Sequence, residues 1–271
     1  MSDQKKKNYA LLCDVDMTLL PSMSTDVPAE RRALADKIYT MLGGAFALVT
    51  GRPAHSLDES FPAQFPASVE HHSAWRPEKG TEFSALAPHI DADELAAHAE
   101  DHLKDMTVIF TAKEEVLEEQ PGVFIECKKF SLALVFSPHA TSEQHLESLR
   151  NIINTALEKF NLAASHRMAE GSDAVELVPQ NLCKGEAVRH FMDTEAFRGK
   201  TPIFIGDGIP DMKAMQVCAE EFGGFGIAVG DRIPDEPYVQ KRLKSVDDVW
   251  AYLENFASEQ SAHPAPAEPK L

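Results

Sequence analysis

Apolar runs of strand length alternate with stretches of helical spacing at both ends of this chain, and that alternation limits its fold more than any other feature. Residues 9–15 read as a buried strand, and 30–42 as a helix in which Ala, Leu and Ile recur until Gly43-Gly44 stops it. Residues 45–49 form a second apolar strand, Pro53 fits the first position of a helix reaching about residue 60, and 68–71 read as a third strand. The same rhythm returns later, with helix over 184–192, strand over 201–205, helix over 211–220, a short strand over 225–229 and a last helix over 246–256. Strands alternating with helices predict a Rossmann-like parallel sheet covered by helices on both faces.

The middle of the chain breaks this rhythm. Residues 91–119 are charged and helical around a β-rich 107–111, and 122–128 and 131–136 look like paired strands. Residues 141–160 form a helix with Ser142 as cap, and 162–166 and 174–178 read as two further strands. Strands bracketing helices predict an antiparallel sheet with helices on one face, hence an inserted α+β domain. The expected organisation is a core of residues 8–87 and 180–257, an insert of 88–179, and a disordered tail of 258–271 rich in Ala, Pro and Glu.

Charge narrows the partners. Lys and Arg number 26 against 43 Asp and Glu, a net −17, which argues against nucleic acid and anionic membranes. It leaves open a small phosphorylated ligand, since a local metal or lysine overrides the global field. No apolar stretch approaches the ~18 residues of a membrane span. The basic start of the chain is followed by an apolar run broken at Asp14, a poor signal peptide, so a cytoplasmic protein is expected. Cys13, Cys127, Cys183 and Cys218 make no C-x-x-C pair and are expected to be reduced. His71 and His72, read as strand neighbours, would point to opposite faces and chelate poorly.

Four segments carry chemistry, each at a strand end or helix start, and in open parallel sheets such ends line the ligand crevice. In Asp14-x-Asp16-x-Thr18 one carboxylate can attack phosphorus, while a second can protonate a leaving oxygen and later deprotonate water. Taken alone, Asp-x-Asp is more often a capped turn. Thr50 and the Gly51 N–H could hold a phosphate oxygen near a helix start, although Thr-Gly is also ordinary turn chemistry. Lys184 starts a helix, the unfavourable end of the dipole for a cation unless it faces an anion. Asp207 and Asp211, in Gly206-Asp207-Gly208-Ile209-Pro210-Asp211, suit a hard divalent cation with oxygen ligands, or a helix cap. The order of the four is far more specific than any one of them.

With that order the chain resembles the haloacid dehalogenase-like phosphohydrolases, and within them the trehalose-6-phosphate phosphatases, through short stretches between residues 8 and 256. Leu48-Val49-Thr50-Gly51-Arg52-Pro53, Glu70-His71, residues 121–128 with their Glu-x-Lys pair, Val175-Glu176-Leu177-Val178-Pro179 and Lys184-Gly185 carry the narrower likeness. The resemblance implies a Mg²⁺-dependent phosphatase hydrolysing trehalose 6-phosphate through an aspartyl-phosphate, with the insert as a cap closing over the sugar. Asp14 would be the nucleophile and Asp16 the acid/base. Thr50 and Lys184 would hold the phosphoryl group. Asp14, Asp16 (through its carbonyl), Asp207 and Asp211 would bind the metal. Gly51, Arg52, His71, Glu126 and Lys128 would contact substrate. The partner implied is a small sugar phosphate, the assembly a monomer or weak homo-oligomer. Met17, His72, Ala74, Val135 and Ser137 depart from the family pattern, the last four in its sugar-facing segments. The alternatives are a phosphatase for a sucrose, glucosyl or hexose phosphate, a phosphomutase, and a non-catalytic sugar-phosphate sensor.

Overall fold

The computed structural model describes residues 8–21, 24–105, 109–110, 122–136, 141–170 and 174–262. They divide into two compact units, one running through Ser84 and resuming at Cys183, the other spanning Ala85–Leu182.

The first unit contains β1 (Tyr9–Cys13), α1 (Ala29–Met41), β2 (Phe46–Val49), α2 (Ala54–Ser60), β3 (Ala67–Val69), β4 (Ala74–Arg76) and β5 (Ser84–Ala85), where the chain leaves it. The second holds α3 (Ala92–Asp105), β6 (Ile109–Phe110), β7 (Gly122–Cys127), β8 (Leu132–Phe136), α4 (Glu143–Lys159), β9 (His166–Glu170) and β10 (Ala174–Pro179). Back in the first unit follow α5 (Lys184–Asp193), β11 (Thr201–Gly206), α6 (Ile209–Phe222), β12 (Phe225–Val229), β13 (Val239–Leu243) and α7 (Val246–Ala262).

The first sheet runs β13-β12-β11-β1-β2-β3-β4-β5. Its pairs from β13 to β3 are parallel, and β3 with β4 is antiparallel. The central strands β1, β2 and β11 are apolar on both faces, as burial between two helical layers requires. The register Cys13↔Ile205 and Cys13↔Leu48 brings three strand ends level, so the loops after them emerge together. The fold class is thus the parallel-sheet α/β core expected from the alternation.

In the second unit the order is β6-β7-β8-β10-β9, with β7, β8, β10 and β9 antiparallel in succession. Alternate residues of these strands (Ile125, Leu132, Leu134, Val175, Leu177) pack on Leu95, Ala99 and Leu103 of α3 and on Leu149, Ile152 and Ile153 of α4. Ser142 caps α4 by accepting the His145 N–H at 3.3 Å.

Several expected boundaries move. The strand placed at 162–166 begins only at His166. Asn161 adopts φ +56° after α4, and the Leu162 N–H returns to the Leu157 carbonyl, a helix-ending turn that uses up those residues. The third strand ends at Val69, so His71 and His72 lie in a turn rather than on a strand. The last helix continues to Ala262, so residues 258–262 belong to it rather than to a tail. Residues 263–271, most of 106–121, and Ser137 lie outside the described residues.

Candidate active site

β1 delivers Asp14 to the carboxyl edge of the sheet, where the Asp14 N–H donates to the Ile205 carbonyl at 2.9 Å. The carboxylate is buried, and at its side Lys184, the first residue of α5, places Nζ 2.6 Å from Asp14 Oδ1 and 2.7 Å from Asp211 Oδ1. Asp211 belongs to the first turn of α6. Its Oδ2 accepts the N–H groups of Asp207 (3.1 Å) and Gly208 (2.9 Å), which ties the end of β11 to the start of that helix. Gly206 makes this possible: a Cβ there would sit 2.4 Å from Asp211 Cγ, so only glycine lets the carboxylate fold back against the strand.

Carboxylate oxygens of Asp14, Asp207 and Asp211 lie within 4.8 Å of one another. Three acids and one lysine leave the cluster short of positive charge, and the titration behaviour reflects it. Burial, then Asp211, pushes the Asp14 carboxyl well above the usual range, against the pull of Lys184. Burial and then Asp211 likewise raise Asp207 to about 6, with Lys184 and Arg232 opposing. Burial disfavours the Lys184 ammonium, but Asp14 and Asp211 outweigh it and hold its pKa above the ordinary lysine value. An all-oxygen, buried, charge-deficient donor set is what a hard divalent cation fits.

The second motif lies beside this cluster's strand, at the end of β2. Thr50 is buried, and its Oγ1 accepts the Arg52 N–H at 3.0 Å, which leaves the hydroxyl proton for an incoming oxygen. Arg52, expected among the substrate contacts, pairs its guanidinium with Asp16. Nε lies 2.8 Å from Oδ2 and Nη2 2.6 Å from Oδ1. Asp16 itself precedes Met17 in the left-handed region (φ +55°), and Thr18 is fully buried beneath the turn, its N–H on the Val15 carbonyl.

Glu70, His71 and His72 have φ of +47°, +56° and +75°, three consecutive non-glycine residues in a conformation that L-residues disfavour by roughly 1–2 kcal/mol each. Such strain survives only where surroundings over-determine it. Here the Glu70 N–H bonds the Arg52 carbonyl at 3.1 Å, and His72 bonds Ser68 Oγ (2.9 Å) and His190 Nδ1 (2.7 Å). The turn sets the His71 ring against Gly51, where a Cβ would come 3.4 Å from His71 Cε1.

In the second unit, Glu126 and Lys128 form an ion pair of 3.2 Å, and Glu176 approaches the same Nζ at 3.9 Å. Register explains the trio: Glu126 and Glu176 both pair with Ala133 of β8, so they flank one position on one sheet face, and Lys128 lies two residues along. Sequence reasoning assigned no role to Glu176, although a carboxylate inside the apolar strand Ala174–Pro179 was its signal. It also missed Arg232, whose Nη1 lies 3.6 Å from Asp207 Oδ2.

The family model described as trehalose-phosphatase matches residues 37–242, a span that holds Thr50, Lys184, Asp207 and Asp211 and begins after Asp16. A probable trehalose-phosphate phosphatase of Sinorhizobium fredii is 32% identical over 232 residues, 84% of this chain and 80% of that protein. The trehalose-6-phosphate phosphatase of Escherichia coli is 27% identical over 218 residues, 80% of this chain and 73% of its own. Among solved structures, the C-terminal domain of a C. albicans trehalose-6-phosphate phosphatase aligns with TM-score 0.69 at 18% identity, covering 93% of this chain and 92% of that one. A haloacid dehalogenase-like hydrolase from Bacteroides thetaiotaomicron aligns at 0.60 with 15% identity, covering 93% and 100%. At these identities the structural likeness speaks for the fold.

Proposed function

Because this chain belongs to the trehalose-phosphatase family and is a phosphoric monoester hydrolase, we propose that it hydrolyses trehalose 6-phosphate to trehalose and phosphate. The observation that carries the reading is the buried cluster of Asp14, Lys184, Asp207 and Asp211, drawn from three separated segments to one edge of a parallel sheet.

In the proposed reaction an Asp14 carboxylate oxygen attacks phosphorus in line. The Oδ–P bond forms as the bond from phosphorus to the sugar oxygen breaks, and Asp16 gives that oxygen its proton. Water then attacks the aspartyl-phosphate, Asp16 takes a proton from it, and Asp14 is restored as inorganic phosphate leaves. The Thr50 hydroxyl, the Gly51 N–H and the Lys184 ammonium hold phosphoryl oxygens throughout, so the protein contributes positioning and charge rather than new covalent chemistry. Asp14, Asp207 and Asp211 would hold Mg²⁺ together with the Asp16 carbonyl, and when bound the ion neutralises charge on the phosphoryl oxygens. With Lys184 already positive, it would bring the three carboxylates close to neutrality. Glu126, Lys128 and Glu176 are assigned to sugar hydroxyls, because paired charges grouped on one sheet face offer both donors and acceptors. His71 is assigned to the substrate as well.

The working protein is read as a cytoplasmic monomer or weak homo-oligomer; no described helix is long and apolar enough to cross a membrane. The test is phosphate release with Mg²⁺ from trehalose 6-phosphate, sucrose 6-phosphate and glucose 6-phosphate, with Asp14→Asn as control. Release from trehalose 6-phosphate that disappears in the variant supports the proposal. Release only from another member of the panel would overturn the substrate, and none from any member, with folded protein, would overturn the reaction.

A further inference from the structure

We infer that Arg52 is the positioning residue for Asp16, fixing the orientation in which its carboxylate exchanges protons with the leaving oxygen and with water. This deepens the phosphatase reading above and rests on it. The two side chains are held as a fork: Nε to Oδ2 at 2.8 Å and Nη2 to Oδ1 at 2.6 Å, so both carboxylate oxygens are engaged at once. A single hydrogen bond leaves a carboxylate free to turn about its Cβ–Cγ bond, whereas two parallel ones remove that rotation.

The partners differ in a way that gives the fork a direction. The Asp16 side chain is 38% exposed, whereas Arg52 is 8% exposed, so a buried, anchored cation holds a carboxylate that faces solvent. The guanidinium is itself held by two further bonds, Nη2 to the Ser24 carbonyl at 2.7 Å and Nη1 to Ser60 Oγ at 3.2 Å. Ser60 in turn donates to the Ser56 carbonyl inside α2 at 3.1 Å, so its orientation is also set. The Arg52 backbone closes the arrangement, its N–H on Thr50 Oγ1 and its carbonyl on the Glu70 N–H. One residue therefore fixes Asp16 relative to the Thr50 hydroxyl, which holds a phosphoryl oxygen in the proposed reaction. Proton transfer demands placement within about 0.5 Å and 10–20°. Lysine could supply the charge but not the planar fork.

The experiment compares kcat/KM for trehalose 6-phosphate, whose sugar oxygen needs a proton to leave, with p-nitrophenyl phosphate, whose phenolate does not. The proteins are the wild type, Arg52→Gln, Arg52→Lys, Asp16→Asn and the Asp16→Asn/Arg52→Gln double variant. Arg52→Gln is expected to lower kcat/KM for the sugar phosphate by about 100-fold or more, the scale of a lost general acid, and for the aryl phosphate by less than roughly fivefold. Arg52→Lys falls between wild type and Arg52→Gln on the sugar phosphate. On the Asp16→Asn background the Arg52 change is expected to add less than about twofold, since its effect runs through Asp16. Inhibition by inorganic phosphate stays within roughly threefold of wild type, because transition-state positioning and phosphate binding are separable. Equal losses on both substrates, full additivity with Asp16→Asn, or weakened phosphate inhibition would each overturn the inference while leaving the phosphatase reading intact. A wild type that cleaves neither substrate overturns both. Should Arg52→Gln fail to fold by circular dichroism, Arg52→Lys carries the same two-substrate comparison with the same deciding outcomes.

Discussion

Replacing Lys184 by methionine tests the electrostatic account of the site, because it removes the cluster's one ammonium while keeping most of the buried volume. Lys184 lies 2.6 Å from Asp14 Oδ1 and 2.7 Å from Asp211 Oδ1, and all three side chains are at most 7% exposed. Without it, the carboxylate oxygens within 4.8 Å of one another have no ammonium in contact. At an effective dielectric constant of 20, two unit charges at that separation repel by about 3.5 kcal/mol. Breaking a buried ion pair by removing one partner destabilises by about 3–5 kcal/mol. For a unit of this size that lowers the unfolding midpoint by roughly 6–20 °C. The assay is thermal and urea unfolding of the wild type and Lys184→Met in EDTA, repeated in Mg²⁺. A divalent cation supplies the missing charge, so Mg²⁺ is expected to stabilise the variant more than the wild type and narrow the gap. In the same protein kcat should fall by at least ~10²-fold, as for loss of one donor to a developing oxyanion. A variant within about 0.5 kcal/mol of wild type in EDTA, the range of an ordinary surface change, would refute the reasoning. So would a gap that Mg²⁺ leaves unchanged.

Three further outcomes are expected. Gly206→Ala must displace the Asp211 carboxyl, whose Cγ would be 2.4 Å from the new Cβ, so stability should drop by about 1–3 kcal/mol and Mg²⁺ affinity with it; calorimetry showing wild-type affinity would contradict this. Asp207 is raised to about 6, so the metal-free protein holds a proton there that the unfolded chain has lost. Its contribution to stability is full below the unfolded value near 4 and lost as pH rises through 6, whereas Mg²⁺ binding strengthens over that range with proton release, measurable by titration in buffers of different ionisation enthalpy. Burial and then His190 push His72 down to about 3, so below about pH 6.5 the unfolded chain takes up a proton that the folded one refuses, and stability falls with pH; His72→Gln should flatten that acid slope in urea midpoints, and an unchanged slope rules the mechanism out.

What the sequence made legible was whatever depends on local pattern. Strand ends after Val49 and Ile205 were readable because apolar runs stop there, whereas the first strand, read to Val15, ends two residues earlier at Cys13; level strand ends in a parallel sheet bring Asp14 and Asp207 together without any pairwise signal. Asp211 was readable as a helix-start acid, but its folding back onto the Asp207 and Gly208 N–H groups depends on the missing Cβ of Gly206. The hidden part was non-local. Arg52 and Asp16 are 36 residues apart, and nothing in either segment announces the fork. Residues 70–72 looked like the end of a strand, yet tertiary hydrogen bonds hold them left-handed against local preference. Glu176 takes its meaning from the register that sets it across Ala133 from Glu126, and register is a property of the paired strands together. Helix α7 ran past its expected end because an alanine- and glutamate-bearing segment continues a helix as readily as it forms a tail.

The most direct test of the central claim is to mix the protein with trehalose 6-phosphate and Mg²⁺, quench in acid within a single turnover, and map phosphorylated peptides by mass spectrometry. The account predicts a phosphoryl group on Asp14 that appears before free phosphate, decays as phosphate is released, and is absent in Asp14→Asn, which turns nothing over. An Asp14→Asn protein that releases phosphate at the wild-type rate, or a phosphoryl group that accumulates on another residue, would contradict it.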